Sequence, residues 1–190
     1  MTGSAPPGRP AVFLDRDGVL NRPVVRDGRP YPPVSVEQFE VYPEVPAACD
    51  RLRAMGFALV VVTNQPDVAR GTLGVDALGA IHLALRRQVA VDAVYSCLHD
   101  DGDGCGCRKP APGMLVDAAA DLGLILGRSV MVGDRWRDVE AGRRAGCRTV
   151  HIDRGYLERR PDGADAVARD LAEAVRWIQD VMVGEGVTNG

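Results

Sequence analysis

The stretch Ala11-Val12-Phe13-Leu14-Asp15-Arg16-Asp17-Gly18-Val19-Leu20-Asn21 decides how the rest of the chain reads. Four apolar residues stop at two carboxylates one residue apart, and a glycine follows where the backbone can turn. A short buried strand ending in a charged loop is the repeating unit of open α/β sheets, and the pattern returns downstream. Residues 57–62 form a continuous apolar run, as expected of a strand buried on both faces. Residues 91–95, 129–132 and 148–152 read as further strands, the last of them final. Helices are expected over 43–55, 75–89, 112–122, 137–145 and 164–182. In the first, Val45, Ala48, Leu52 and Met55 keep a helical period before Gly56; in the last, Leu171, Val175, Ile178 and Met182 share a face. Pro112 opens one helix, and Gly123 and Gly146 close two.

This alternation predicts the α/β class: a Rossmann-like, mostly parallel sheet with helices on both faces. A single domain is expected over 11–182, between a flexible N-terminal segment 1–10 and a flexible tail 183–190. Hydrophobic residues make up 46% of the 190, which argues against a disordered chain. With 23 basic and 26 acidic residues, the net charge of -3 gives no footprint for nucleic acid. No run approaches the ~18 apolar residues of a membrane span. The first ten residues are polar and rich in proline and glycine, unlike a secretory signal, so a cytoplasmic, reducing compartment is expected. A monomer is expected as well.

In such sheets ligands bind beyond the carboxyl ends of the strands, so the residues just after each apolar run carry the chemistry. Asp15 and Asp17 can converge on a divalent cation, Mg²⁺ being the hard ion that serves beside phosphate. One carboxylate could attack phosphorus and the other protonate the leaving alcohol. Thr63 and Asn64 end the second run, where a hydroxyl and an amide could hydrogen-bond a phosphoryl oxygen. Lys109 is the only lysine among the 23 basic residues. Arginine serves at every other basic position, so the exception marks a place where a compact point charge is needed. Asp134 supplies a third carboxylate, and Asp138 follows at the start of a helix, where it also suits the helix dipole.

Three of the five cysteines, Cys97, Cys105 and Cys107, fall in an eleven-residue window with His99. Three thiolates and an imidazole complete a tetrahedral shell for structural Zn²⁺ with no position left for water. Cys107 lies two residues before Lys109, so zinc would staple the loop that aims Arg108 and Lys109. Cys49 and Cys147 read as buried small hydrophobes.

In order, Asp15-Arg16-Asp17-Gly18-Val19, Thr63, Lys109 and Gly133-Asp134 with Asp138 resemble the four motifs of the haloacid-dehalogenase (HAD) phosphohydrolase superfamily. The resemblance implies a phosphomonoesterase in which Asp15 is the nucleophile and Asp17 the general acid/base. It also implies that Asp15, Asp134 and the Asp17 carbonyl hold Mg²⁺ with Asp138 just behind, and that Thr63 and Lys109 position the phosphoryl group. Phe13 to Asn21, Val61-Val62-Thr63-Asn64-Gln65, Ala69-Arg70-Gly71 and Cys105-Gly106-Cys107-Arg108-Lys109-Pro110 look like the heptose-bisphosphate and histidinol-phosphate phosphatase branch, over residues 11–152. That branch implies the same four zinc ligands. It implies substrate contacts from Pro23, Val24, Val25, Arg26, Asn64, Gln65, Pro66, Arg108 and Arg135. Pro66 stands where a small polar residue is usual, and Arg135 where lysine is common.

The spans from Asp15 to Thr63 and from Thr63 to Lys109 are mostly consumed by the elements assigned, so a capless enzyme open to a small phosphorylated sugar is expected. The substrate expected first from the resemblance is a heptose 1,7-bisphosphate cleaved at its 7-phosphate, with histidinol phosphate the alternative. A phospho-accepting receiver domain fits less well, because its acceptor aspartate follows the third strand and here the pair follows the first. A polynucleotide-end phosphatase would want a basic groove that the net charge does not suggest.

Overall fold

The computed structural model describes residues 8–184. Six strands form one parallel sheet: β1 (Ala11–Leu14), β4 (Ala58–Asn64), β5 (Ala93–Cys97), β6 (Val130–Gly133), β7 (Arg148–Ile152) and β8 (Ala166–Ala168), in the order β5-β4-β1-β6-β7-β8. Two more, β2 (Val24–Arg26) and β3 (Arg29–Tyr31), pair as an antiparallel hairpin outside it. The helices are α1 (Val45–Ala54), α2 (Val75–Gln88), α3 (Gly113–Leu122), α4 (Trp136–Ala145) and α5 (Leu171–Gly184).

Alternate residues of each central strand feed opposite cores. Val12, Leu14, Leu59, Val61, Val130 and Val132 pack with Leu52 of α1, Ile81 of α2 and Ile178 of α5. Phe13, Val60, Val62 and Met131 pack with Met114 and Leu115 of α3 and Ala141 of α4. Both faces of the sheet are covered, which is why its strands read as unbroken apolar runs. The chain winds from β1 through β4 to β5, then returns to β6 on the other side of β1. The reversal places the carboxyl ends of β4, β1 and β6 side by side, the switch point where a crevice opens.

The expected helix over 164–182 begins only at Leu171. Residues 166–168 are instead a sixth parallel strand, Val150 opposite Ala166, so β7 is not the last. Ala-Val-Ala has no strong strand signal. The segment is drawn alongside β7 by Asp165, whose carboxylate accepts from the Thr149 amide at 2.7 Å and its hydroxyl at 2.9 Å. The strand expected at 91–95 lies two residues later. Val91 is in the core, and the Asp92 carboxylate accepts from the Leu59 amide at 2.8 Å, so ladder pairing starts at Ala93 and runs to Cys97. Residues 24–31, where the apolar pattern predicts no strand, form this hairpin. Its turn, Asp27 (φ 50°) and Gly28 (φ 71°), is the left-handed pair that joins two strands tightly.

The expected flexible ends, 1–10 and 183–190, lie outside the described residues except at their inner margins. There Arg9 bridges to Leu124 and α5 continues to Gly184. Among the described residues no further domain is inserted between the strands, and no helix is long and apolar enough to cross a membrane.

Candidate active site and cysteine cluster

The carboxyl ends of β1 and β6 carry Asp15, Asp134 and, one turn into α4, Asp138. All three are buried, and one carboxylate oxygen from each lies within 4.8 Å of the others. Lys109, also buried, reaches in from the segment after β5. Its ammonium lies 2.8 Å from Asp15 Oδ1 and 2.6 Å from Asp138 Oδ1, and donates to the Val62 carbonyl at 2.8 Å. Its three protons are thereby committed. Burial opposes charge on Lys109, but Asp138 and Asp15 hold it above the ordinary lysine range.

Three acids around one ammonium leave an excess of negative charge. Burial drives the Asp15 carboxyl up to about 6 against the pull of Lys109, with repulsion from Asp138 and Asp17 adding to the rise. Burial, then Asp15 and Asp138, likewise raise Asp134. Neither buried Asp134 oxygen makes a hydrogen bond of good geometry, although the Tyr156 hydroxyl beside them is close enough to favour the charged carboxylate. Uncompensated buried carboxylates with free oxygens are what a hard divalent cation requires, so the residues fit Mg²⁺. Two glycines let these groups approach. A Cβ on Gly18 (φ 88°) would sit 1.8 Å from Asp134 Oδ2, and one on Gly133 would sit 2.0 Å from Asp138 Cβ.

Asp17 points beside this trio and is held by four side-chain donor groups. It accepts from Arg16 Nε at 3.1 Å and Nη2 at 2.9 Å, from Asn21 Nδ2 at 3.0 Å and from Gln65 Nε2 at 2.9 Å. The same Gln65 nitrogen donates to Thr63 Oγ1 at 2.8 Å. Asn64 Nδ2 donates to the Lys109 carbonyl at 3.0 Å, and its Oδ1 accepts from the Lys109 amide at 3.1 Å.

Above the acids opens a cleft of about 270 Å³. Of the residues singled out in the sequence, Asp15, Asp17, Thr63, Asn64, Pro66, Arg108, Lys109, Asp134, Arg135 and Asp138 line it. Pro23, Val24, Val25, Arg26 and Gln65 do not. The hairpin folds back so that Arg29, Pro30, Tyr31 and Pro32 face the cleft in place of 23–26, and Gln65 is wholly buried behind it. The Asp27-Gly28 pair was the available signal for that fold-back.

Sequence reasoning also missed the anions that hold the cleft's arginines. Arg135 Nε donates to Glu158 at 2.8 Å. Arg108 Nε and Arg137 Nη1 share Asp101 Oδ1 at 2.8 and 2.7 Å, and Arg108 first, then Arg137, lower the Asp101 carboxyl to about 2. Asp101 lies seven residues before Arg108 but 36 before Arg137, and Glu158 lies 23 after Arg135, so the two longer pairings could not be read from spacing.

Cys97, His99, Cys105 and Cys107 converge. Sulfur–sulfur separations are 3.1, 3.5 and 3.7 Å, and His99 Nδ1 lies 3.6 Å from Cys97 Sγ and 3.4 Å from Cys107 Sγ. Four ligands around a tetrahedral zinc with Zn–S of about 2.3 Å have edges close to these, so the residues fit Zn²⁺ with no position left open. Asp100 and Asp103 cap the turn inside the loop, and Arg108 Nη1 donates to the His99 carbonyl at 3.1 Å. Cys49 and Cys147 are buried singly, their thiols pushed by burial up to about 12, as suits inert core residues.

Comparison with known proteins places this geometry among relatives. A family model described as HAD-hydrolase-like matches residues 106–174. The D-glycero-D-manno-heptose-1,7-bisphosphate 7-phosphatase of Thermosynechococcus vestitus is 38% identical over 90% of this chain and 95% of its own. The D-glycero-beta-D-manno-heptose-1,7-bisphosphate 7-phosphatase of Mesorhizobium japonicum is 38% identical over 88% of this chain and 80% of its own. The crystal structure of D,D-heptose 1,7-bisphosphate phosphatase from Bordetella bronchiseptica, complexed with magnesium and phosphate, superposes with a TM-score of 0.78 at 34% identity, covering 90% of this chain and 98% of that one.

Proposed function

The chain belongs to the D-glycero-D-manno-heptose-1,7-bisphosphate 7-phosphatase family of HAD-like hydrolases, and we propose that it removes the 7-phosphate of that sugar through an aspartyl-phosphate on Asp15. The observation that carries this reading is the Lys109 ammonium bridging Asp15 and Asp138 at 2.8 and 2.6 Å beneath the cleft. It fixes one oxygen of Asp15 and supplies positive charge where a phosphoryl group must arrive.

Asp15, Asp134 and the Asp17 main-chain carbonyl would hold Mg²⁺, which supplies neutralisation of the carboxylates and of the phosphoryl oxygens. The Asp15 carboxylate attacks phosphorus in line and the ester P–O bond breaks. Asp17 gives its proton to the departing sugar oxygen. Asp17, now ionised, takes a proton from the water that attacks the aspartyl-phosphate, releasing phosphate and restoring Asp15. Lys109 and the Thr63 hydroxyl stabilise charge on the transferring group. Asp138 holds Lys109 and accepts from the Arg135 amide at 3.0 Å. Arg108 and Arg135, with Asn64 and Pro66 on the facing wall, contact the rest of the substrate. The four zinc ligands take no part in chemistry and order the loop that presents Arg108 and Lys109.

Residues 11–182 act as one capless catalytic unit, and the short hairpin and zinc loop set specificity. We read the protein as a cytoplasmic monomer, a setting in which the thiol-rich cluster stays reduced. The test is phosphate release with Mg²⁺ across small phosphomonoesters, including both anomers of the heptose bisphosphate and histidinol phosphate. Preference for a heptose bisphosphate is expected. Faster turnover of histidinol phosphate would overturn the substrate, and no turnover of any phosphomonoester would overturn the activity.

A further inference from the structure

We propose that Gln65 is a positioning residue for Asp17 and Thr63 and makes no contact with substrate. The inference rests on the phosphatase reading above. Its neighbours Thr63, Asn64 and Pro66 all line the cleft, whereas Gln65 is fully buried and does not. Its backbone is pinned by the 2.7 Å bond from its amide to the Cys97 carbonyl, at the end of the adjacent strand.

The side chain turns its amide nitrogen toward Asp17 and leaves its Oε1 buried without a hydrogen-bond partner. The Asp17 carboxylate facing it offers only acceptors when ionised, so the amide nitrogen must turn toward it. That nitrogen carries two hydrogens, and two acceptors lie in reach: Asp17 Oδ2 at 2.9 Å and Thr63 Oγ1 at 2.8 Å. A hydroxyl that accepts from Gln65 keeps its own hydrogen free. Thr63 is therefore set as a donor toward the cleft, the polarity a phosphoryl oxygen needs.

On the Asp17 side, the amide completes a cradle with Asn21 and the fully buried Arg16 guanidinium. Arg16 and Asn21 come from the same loop as Asp17. Gln65 is the member that ties this carboxylate to the strand bearing Thr63. One side chain thus sets the general acid/base and the phosphoryl donor in a fixed relation. Small misplacements of such groups cost large factors in rate, which is how a buried amide outside the cleft acts on catalysis.

The test compares wild type with Gln65→Met, which keeps length and loses both donors, and Gln65→Glu, which keeps shape and faces Asp17 with a second carboxyl. Turnover is measured on the heptose bisphosphate, whose leaving alcohol is poor, and on p-nitrophenyl phosphate, whose leaving group needs little protonation. Zinc content and melting temperature report folding. We expect KM to stay within about twofold, and kcat on the sugar phosphate to fall at least about tenfold further than kcat on the aryl phosphate. In an Asp17→Asn background, Gln65→Met should add no further dependence on the leaving group.

A rise in KM with kcat unchanged would make Gln65 a substrate contact and overturn the proposal. Equal losses on both substrates would overturn the link to Asp17, since an effect passing through Thr63 alone falls on both substrates alike. If Gln65→Met loses zinc or melts early, the isosteric Gln65→Glu decides by the same two criteria. Absence of wild-type turnover on every phosphomonoester tried would instead refute the phosphatase reading.

Discussion

Asn64 brackets Lys109 on both sides of its backbone, donating to its carbonyl at 3.0 Å and accepting from its amide at 3.1 Å. The position of the ammonium therefore depends on a residue 45 positions earlier in sequence as well as on the loop that carries it. Asn64→Leu removes both bonds, each worth about 1 kcal/mol. The expected result is an intact fold with kcat lowered roughly tenfold, because the lysine drifts from Asp15. Steady-state kinetics beside a thermal melt checks it, and an unchanged kcat would show that the side-chain contacts of Lys109 suffice.

Lys109→Arg should be far from conservative. The pocket between Asp15, Asp138 and the Val62 carbonyl accepts three bonds to a single nitrogen, and a planar fork cannot make them. Turnover should drop on the order of 10²–10³. A loss under about tenfold in phosphate release would refute that role.

Asp15→Asn cannot form an acyl-phosphate, so turnover should vanish while the circular dichroism spectrum is retained. Rapid acid quench of wild type with a ³²P-labelled substrate should trap label on the chain, and the variant should trap none. Retained activity in the variant would exclude Asp15 as nucleophile.

Metal binding should compete with protons. Without metal the Asp15 carboxyl titrates at about 6, above its ordinary value of 3.8, chiefly because it is buried. A folded-state pKa above the unfolded one means the proton is held more tightly when folded. The metal-free protein is thus favoured by protonation at low pH and loses stability as pH rises through about 6. Mg²⁺ replaces the proton, so its affinity should rise over the same window. Calorimetric titration with Mg²⁺ at pH 5 and pH 7.5 should show tighter binding, and a larger gain in melting temperature, at the higher pH. Equal affinity at both would mean that these carboxylates do not bind the ion.

Zinc should be structural. Protein purified without added metal should contain one zinc per chain by elemental analysis, and Cys107→Ser should reduce it. The variant should be cut by protease between Leu98 and Gly106 and lose activity that added Mg²⁺ does not restore. Chelating Mg²⁺ from wild type should abolish turnover reversibly and leave zinc in place. Full activity in zinc-free protein would show that Arg108 and Lys109 need no staple.

The apolar runs alone were enough to read a parallel sheet, and the residues at their ends were enough to read most of the cleft lining and the donor types of the two candidate metal sites. Those properties are local: an apolar run that stops at Asp15, Thr63 or Asp134 is a strand end wherever the strand goes, and thiols at close spacing chelate over short range. The remaining features depend on partners distant in the chain. The strand at 166–168 exists because Asp165 finds Thr149. The cleft wall is Arg29 to Pro32, and not 23–26, because the hairpin closes at Asp27-Gly28. Gln65, which the family resemblance places among substrate contacts, is buried behind the cleft on Asp17 and Thr63. A hydrogen bond is satisfied by geometry and not by sequence distance, so the anions that hold the arginines and the amide that orients Asp17 became visible only when the chain was folded.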